Sequence, residues 1–315
     1  MNRRRQLLAA LLFAPLAARA QQRRMVRIGF LAAPYRLGHF RAGMRKLGYV
    51  EGQNLAVDSR WDTDYERLGQ LAGEMVRSRV DLLVTGGTPA TLAAKKATAT
   101  IPIVMAISGD ALATGLVDGL AKPGGNITGL TFFAPELEAK QLELLHEALP
   151  SVKRIAVVVN PANPITPSLL QKIAATSERL GVSVRSYEVK APGEAAPAFD
   201  AIAAHRSDAV LFTSDGTLIA NRKLLAELAL KHRLPSTGFI EIADAGAFMA
   251  YGVDINDFYV RSAVYVDKIL KGAKPGELPI DQATRFELVI NLKTAKALGI
   301  TLTRDLLSRA DRVIE

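Results

Sequence analysis

The sequence predicts an α/β protein of two doubly wound lobes, each built on a parallel sheet. From residue 26 onward short β-branched runs alternate with longer helical patterns, the sign of βαβ units. The series restarts halfway: Arg154-Ile155-Ala156-Val157-Val158-Val159 opens the second half as Val26-Arg27-Ile28-Gly29-Phe30-Leu31 opens the first. Finally, 315 residues at 49% hydrophobic and 23% charged suit one large or two modest folded domains, long enough to bury a core without covalent staples.

In chain order, strands are expected at Val26–Leu31, Leu55–Arg60, 82–85 and 103–106, with helices at 39–47, Tyr65–Arg77 and 89–97 between them. The helix at Tyr65 has the firmest start. Thr63-x-x-Glu66 reads as a capping box, and Leu68, Leu71, Ala72, Met75 and Val76 share one face. Around Pro123-Gly124-Gly125-Asn126 the chain turns, passes a strand at Ile127–Thr131 and enters a helix at 135–149. The second series has strands at Arg154–Val159, 182–189, 209–213 and 234–238, and helices at 167–180, 195–205 and 218–232. An apolar run at 247–250, a helix at 257–270, a short run at 278–280, a strand at 286–290 and a helix at Leu292–Leu298 finish the chain. The expected division is 1–20 as a leader, 26–130 plus 247–280 as lobe 1, and 131–246 plus 281–315 as lobe 2.

Residues 1–20, MNRRRQLLAALLFAPLAARA, read as a secretory signal peptide: three arginines, an apolar stretch too short for a membrane helix, and Ala18-Arg19-Ala20 for cleavage after Ala20. Arg3-Arg4-Arg5 before Leu7-Leu8 suits the Sec or the twin-arginine route. Removing Arg3, Arg4, Arg5 and Arg19 lowers the net charge from +9 to +5. No long Lys/Arg cluster remains, which argues against a nucleic-acid partner. No other apolar run approaches a membrane span, so the mature chain is expected to be periplasmic and not inserted in the membrane.

The chain has no cysteine, which excludes thiol nucleophiles, Fe–S clusters and cysteine-ligated zinc. No G-x-G-x-x-G follows a strand, and G-x-x-x-x-G-K-[ST], H-E-x-x-H and G-x-S-x-G are missing. His39, His146, His205 and His232 are scattered at no metal spacing, and Asp62-Thr63-Asp64 just before a helix reads as capping. Neither a catalytic residue, a metal nor a cofactor is expected.

Binding chemistry is expected beyond the carboxyl ends of the strands, where helix N-termini offer free N–H groups. There Thr85-Gly86-Gly87-Thr88-Pro89-Ala90 reads as a seat for a carboxylate, with Gly87 allowing close backbone approach and Thr88 supplying a hydroxyl. The same pattern also fits a plain turn with Thr88 as N-cap. Ser108 and Asp110 stand at the neighbouring strand end, Asp110 alternatively capping the next turn. In the second half the equivalent ends carry Asn160 and Asp215. Asp215 is a candidate partner for a ligand ammonium, opposite the carboxylate seat, or equally an N-cap for the helix after it. Tyr35, Trp61, Phe132 and Tyr251 are candidates to cover an apolar part of the ligand, or core residues.

Several motifs, in order across nearly the whole mature chain, carry a resemblance. Lys46-Leu47-Gly48-Tyr49-Val50-Glu51-Gly52-Gln53-Asn54, Gly86-Gly87-Thr88-Pro89-Ala90, Ile101-Pro102-Ile103-Val104, Pro123-Gly124-Gly125-Asn126-Ile127-Thr128-Gly129 and Phe286-Glu287-Leu288-Val289-Ile290-Asn291-Leu292-Lys293-Thr294-Ala295 resemble the ABC-transporter substrate-binding protein family that includes tryptophan-binding TrpX-type receptors. The resemblance implies the type I periplasmic-binding fold, with a hinge of three crossovers and a ligand closed in the cleft. It implies an aromatic amino acid as ligand and supports Thr88 and Asp215 as contacts. The Ala32-to-His39 stretch is shorter than the loop many relatives carry there. The expected function is an exported, non-enzymatic receptor that hands a small polar solute, leaning to an amino acid, to a membrane permease with a separate ATPase subunit. An exported α/β enzyme using the same cleft and a sensor serving a membrane kinase are the alternatives.

Overall fold

The structure, a computed structural model, describes residues 25–315; the leader expected at 1–20 lies outside them. The first lobe is a six-stranded parallel sheet in the order Asp281–Gln282, Ile127–Thr131, Ile103–Ile107, Leu82–Gly86, Val26–Leu31, Leu55–Arg60. The second has four parallel strands in the order Ser183–Glu188, Arg154–Val159, Ala209–Phe212, Ser236–Thr237. A three-stranded sheet, with Met249–Gly252 antiparallel to Glu287–Asn291 and Arg312–Ile314 beyond it, continues this lobe through a Tyr251 N–H to Gly238 carbonyl bond of 3.1 Å.

Alternation along the strands sends side chains to both faces of each sheet, and helices cover both. Leu82 and Val84 join one apolar cluster with Phe30 and Phe40, whereas Leu83 turns the other way, to Met75 and Met105. In the second lobe Ala156 and Val158 join Phe199 and Phe212, while Ile155, Val157 and Val159 face Leu142 and Ile290. This two-sided burial is why these strands read as continuous apolar runs.

The chain crosses between the lobes three times: after Ile127–Thr131, after Met249–Gly252 and after Asp281–Gln282. Two short strands fall on the other side of the expected boundaries. Met249–Gly252, placed in lobe 1 from the sequence, pairs with Glu287–Asn291 of the second lobe, and Asp281–Gln282, placed in lobe 2, pairs with Ile127–Thr131 of the first. Strands of four and two residues carry too little pattern to say which sheet edge they join. The helix Ile255–Leu270 returns to the first lobe and packs against Leu37–Lys46.

Other differences are local. The N-cap of Tyr65–Arg77 is Asp64, whose carboxylate accepts the Glu66 N–H at 3.0 Å; this agrees with the capping read from Asp62-Thr63-Asp64 but puts the cap one residue beyond the box expected at Thr63. The helix expected over 218–232 is two helices, Gly216–Ala220 and Arg222–Lys231, with Asn221 between them. The short elements Ile240–Asp244, Arg304–Ser308 and Arg312–Ile314 have no counterpart in the sequence pattern.

Candidate functional site

The Leu82–Gly86 strand ends in a sharp turn. Gly87 makes it at φ +90°, a conformation a side chain would strain, and its N–H donates to the Ile107 carbonyl at 2.8 Å. Gly87, not Thr88, is the N-cap; Thr88 is the first residue of the helix Thr88–Ala97 and Pro89 the second. The Thr88 hydroxyl is thus free of capping. It lies 3.0 Å from the Ser108 hydroxyl and accepts the Gly109 N–H at 3.3 Å. Both side chains are buried, and both line a cleft between the lobes. Asp110 does not: the backbone turns there with φ +43°, and its carboxylate folds back to accept the Ala113 N–H at 3.0 Å, the capping alternative.

The second lobe faces this seat with the loop after Ala209–Phe212. Asp215, 3% exposed, is the N-cap of Gly216–Ala220. Its Oδ1 accepts from the Thr217 N–H (2.9 Å), the Leu218 N–H (3.2 Å) and Asn160 Nδ2 (3.2 Å), and its Oδ2 from Tyr65 Oη (2.7 Å) and Asn163 Nδ2 (2.9 Å). Five donors saturate the carboxylate, and Ser214 and Gly216, not Asp215, form the cleft wall. Asn160 is likewise not in the wall; it holds Asp215 and Thr217 in place. Tyr251 does not line the cleft; its ring stacks on Phe286 with centroids 5.9 Å apart, because its strand belongs to the second lobe's added sheet.

The cleft encloses about 710 Å³ free of protein atoms, part of it open to solvent. Tyr35, Trp61, Tyr65, Phe132 and Tyr259 supply aromatic wall; Thr88, Ser108, Asn163, Ser214 and Arg36 supply polar groups. Burial raises the hydroxyl pKa of Tyr259 and of Tyr65, the latter further raised by Asp215 beside it, so both stay protonated donors.

Two sets of bonds close the cleft. Besides Tyr65 to Asp215, the Thr217 hydroxyl donates to the Thr63 carbonyl at 3.2 Å. A side chain at Gly216 would place its Cβ 3.2 Å from both the Trp61 ring and the Tyr65 hydroxyl, so a glycine lets the lobes meet here. On the other flank Arg36, 4% exposed, donates to Asn256 Oδ1 at 2.5 Å and pairs with Glu241 of the second lobe. Burial works against the guanidinium charge, yet Glu241 outweighs it and the pKa is raised. Arg36 and Arg222 also lie 5.0 and 5.6 Å from the Tyr35 ring centroid.

Arg36, Tyr65, Asn163 and Tyr259 were missed as site residues in the sequence. Asn163 carried a signal, standing three residues past Asn160 at a strand end. Tyr65 and Tyr259 lie on helices, where a search of strand ends does not reach. Among the described residues no group of His, Asp and Glu is arranged to hold a metal ion.

A cleft between two parallel-sheet lobes joined by three crossovers is the architecture of the type I periplasmic binding proteins. The chain belongs to the family described as ABC transporter substrate binding protein, which it matches over residues 35–314. It is therefore a substrate-binding protein of the ABC-transporter class. It is 27% identical over 260 residues to a "Tyrosine-binding protein" of Clostridioides difficile (strain R20291), covering 80% of this chain and 73% of that one. A solved structure of a conserved domain protein from Vibrio cholerae is 31% identical, with a TM-score of 0.85 over 92% of this chain and 99% of that one. An ABC domain in complex with L-Trp from Streptococcus pneumonia is 26% identical, with a TM-score of 0.83 over 92% of this chain and all of the other.

Proposed function

We propose that this protein is an exported receptor that closes its two lobes around one amino acid with an aromatic side chain and presents it to a membrane permease driven by a separate ATPase. The observation that carries the reading is the composition of the cleft: a glycine turn and two hydroxyls, Thr88 and Ser108, at a helix N-terminus, in one cleft with five aromatic rings. The N-terminus of Thr88–Ala97 with both hydroxyls takes the ligand carboxylate. Tyr35, Trp61, Phe132 and Tyr259 enclose the side chain. The ammonium sits toward Ser214 and Asn163, in the negative field of Asp215, whose carboxylate stands beside that wall. The ligands named for the Clostridioides and Streptococcus proteins support an aromatic side chain.

A ligand touching both lobes favours the closed state over the open one by its differential contacts, and the permease reads that state. The bound molecule leaves chemically unchanged. Cleavage after Ala20 delivers a chain beginning at Gln21 to the periplasm, which N-terminal sequencing of exported protein checks. No helix among the described residues is long and apolar enough to cross a membrane.

A thermal-shift screen of the protein against the amino acids, purines and small organic acids tests the ligand class. L-tyrosine, L-tryptophan or L-phenylalanine should raise the melting temperature, a ligand at a hundred times its Kd adding about 2.7 kcal/mol. A rise with another class and none with amino acids overturns the reading. Chromatographic recovery of intact ligand after long incubation checks that nothing is turned over.

A further inference from the structure

The wall of the cleft on the second lobe is backed by a buried acid that the site described so far does not use. Glu138, on the crossover helix Ala134–Ala148, is wholly buried. Its Oε1 accepts the Ser214 N–H at 2.7 Å, and Ser214 itself lines the cleft. Its Oε2 has no hydrogen-bond partner. The contrast with Asp215, the residue after Ser214, is sharp: there five donors satisfy the charge, and here Ser214 alone donates and Oε2 is left without a partner.

We propose that Glu138 couples occupation of the cleft by an ammonium group to the loss of its own proton. The proposal rests on the amino-acid reading above. In the empty protein the neutral acid is the favoured form. Burial pushes its pKa up to about 8, the bonds from Ser214 oppose that rise, and the negative charge of Asp215 adds to it. No cation offsets this among the described residues packed on the helix. Lys172 and Arg179, on Thr166–Leu180, pair with Glu136 and Glu143. On the strands Ser236–Thr237 and Met249–Gly252 the titratable group is Tyr251; on the helix itself Lys140 pairs with Glu143 at 3.3 Å and His146 lies two turns further along.

An ammonium seated against Ser214 supplies the missing positive charge through one residue's thickness of low-dielectric protein. The Glu138 carboxyl then gives its proton to solvent as the lobes close, and the resulting carboxylate strengthens both the Ser214 bond and the hold on the ligand. Binding therefore tightens as pH rises toward 8 and weakens below it. A site of this kind releases its ligand more readily at acidic pH.

Calorimetry with L-tyrosine and with L-tryptophan, in phosphate and in Tris at pH 6, 7 and 8, tests this, since buffers of different ionisation enthalpy report protons released. About half a proton should leave per ligand bound at pH 8, where half the carboxyls still carry one, and affinity should fall by up to about tenfold per pH unit below. Glu138→Gln keeps an acceptor for the Ser214 N–H but carries no proton to lose, so its proton release should vanish and its affinity profile flatten. Because release is read on the wild-type protein first, the test does not depend on the variant folding. Binding with no proton release, or equal release in Glu138→Gln, overturns the coupling and leaves the amino-acid reading standing. Absence of binding by every amino acid overturns that reading and the coupling with it.

Discussion

Tyr65 and Asp215, 150 positions apart in sequence, meet across the cleft in a 2.7 Å hydrogen bond. The tyrosine comes from the first lobe and the aspartate caps a helix of the second, so one carboxylate serves both as a local cap and as a clasp between lobes. Replacing Tyr65 with Phe keeps the ring in the cleft wall and removes only this donor. A bond to a charged acceptor is worth about 1.5–3 kcal/mol, and ligand affinity should fall by about that much. Isothermal calorimetry with L-tyrosine measures it; an unchanged Kd would show that the bond does not hold the closed state.

The five donors around Asp215 make it intolerant of amide replacement. A helix cap alone would accept Asp215→Asn almost without cost. Here the asparagine NH2 would face either Tyr65 and Asn163, or Asn160 and two backbone N–H groups, all of them donors. Asp215→Asn should therefore lose about 1–3 kcal/mol of stability without ligand, read by urea denaturation. A loss under about half a kcal/mol would reduce the residue to a cap.

Thr88→Val preserves shape and deletes the hydroxyl that bonds Ser108. Affinity for an amino acid should drop by about 1–2 kcal/mol, with the amide of the same amino acid affected less if the turn holds the ligand carboxylate as proposed. Equal losses for acid and amide would move the carboxylate elsewhere in the cleft.

Arg36 and Glu241 form the other clasp, and neither is well exposed. Arg36→Met should destabilise by about 3 kcal/mol, since it strands a mostly buried carboxylate, whereas adding Glu241→Gln should recover much of the loss. A double-mutant cycle on denaturation midpoints gives the coupling; additive losses would mean the pair contributes nothing.

Stability should also carry the mark of Glu138. Its folded-state pKa of about 8 stands above the ordinary 4.5, so the folded protein holds the proton more tightly than the unfolded chain. The resulting stabilisation is complete below about pH 4.5 and is lost as pH rises to about 8, a change of a few kcal/mol. Glu138→Gln should remove that slope from the melting temperature between pH 5 and 8, while a parallel slope in both proteins would assign it to other groups.

The amino-acid sequence by itself determined the sheets and helices that are long and strongly patterned. Arg154–Val159 and Tyr65–Arg77 have the residues read from the chain, because local periodicity and capping chemistry act within a dozen positions. It also located the glycine turn at one wall of the cleft, since a glycine turn at a strand end is a local signal and Thr88 and Ser108 both line the cleft. Only the tertiary structure decided the other half of the site. Whether Asp215 faces a ligand or a tyrosine depends on how two lobes close, and nothing local to Thr213-Ser214-Asp215-Gly216 encodes the arrival of Tyr65. The same holds for Asp110 and Tyr251, strand-end residues by position that a left-handed turn and an antiparallel sheet edge carry away from the cleft. Arg36, Glu138 and Tyr259 take their environments from residues more than seventy positions away, a distance at which burial and pairing are set by packing and leave no periodic trace in the chain.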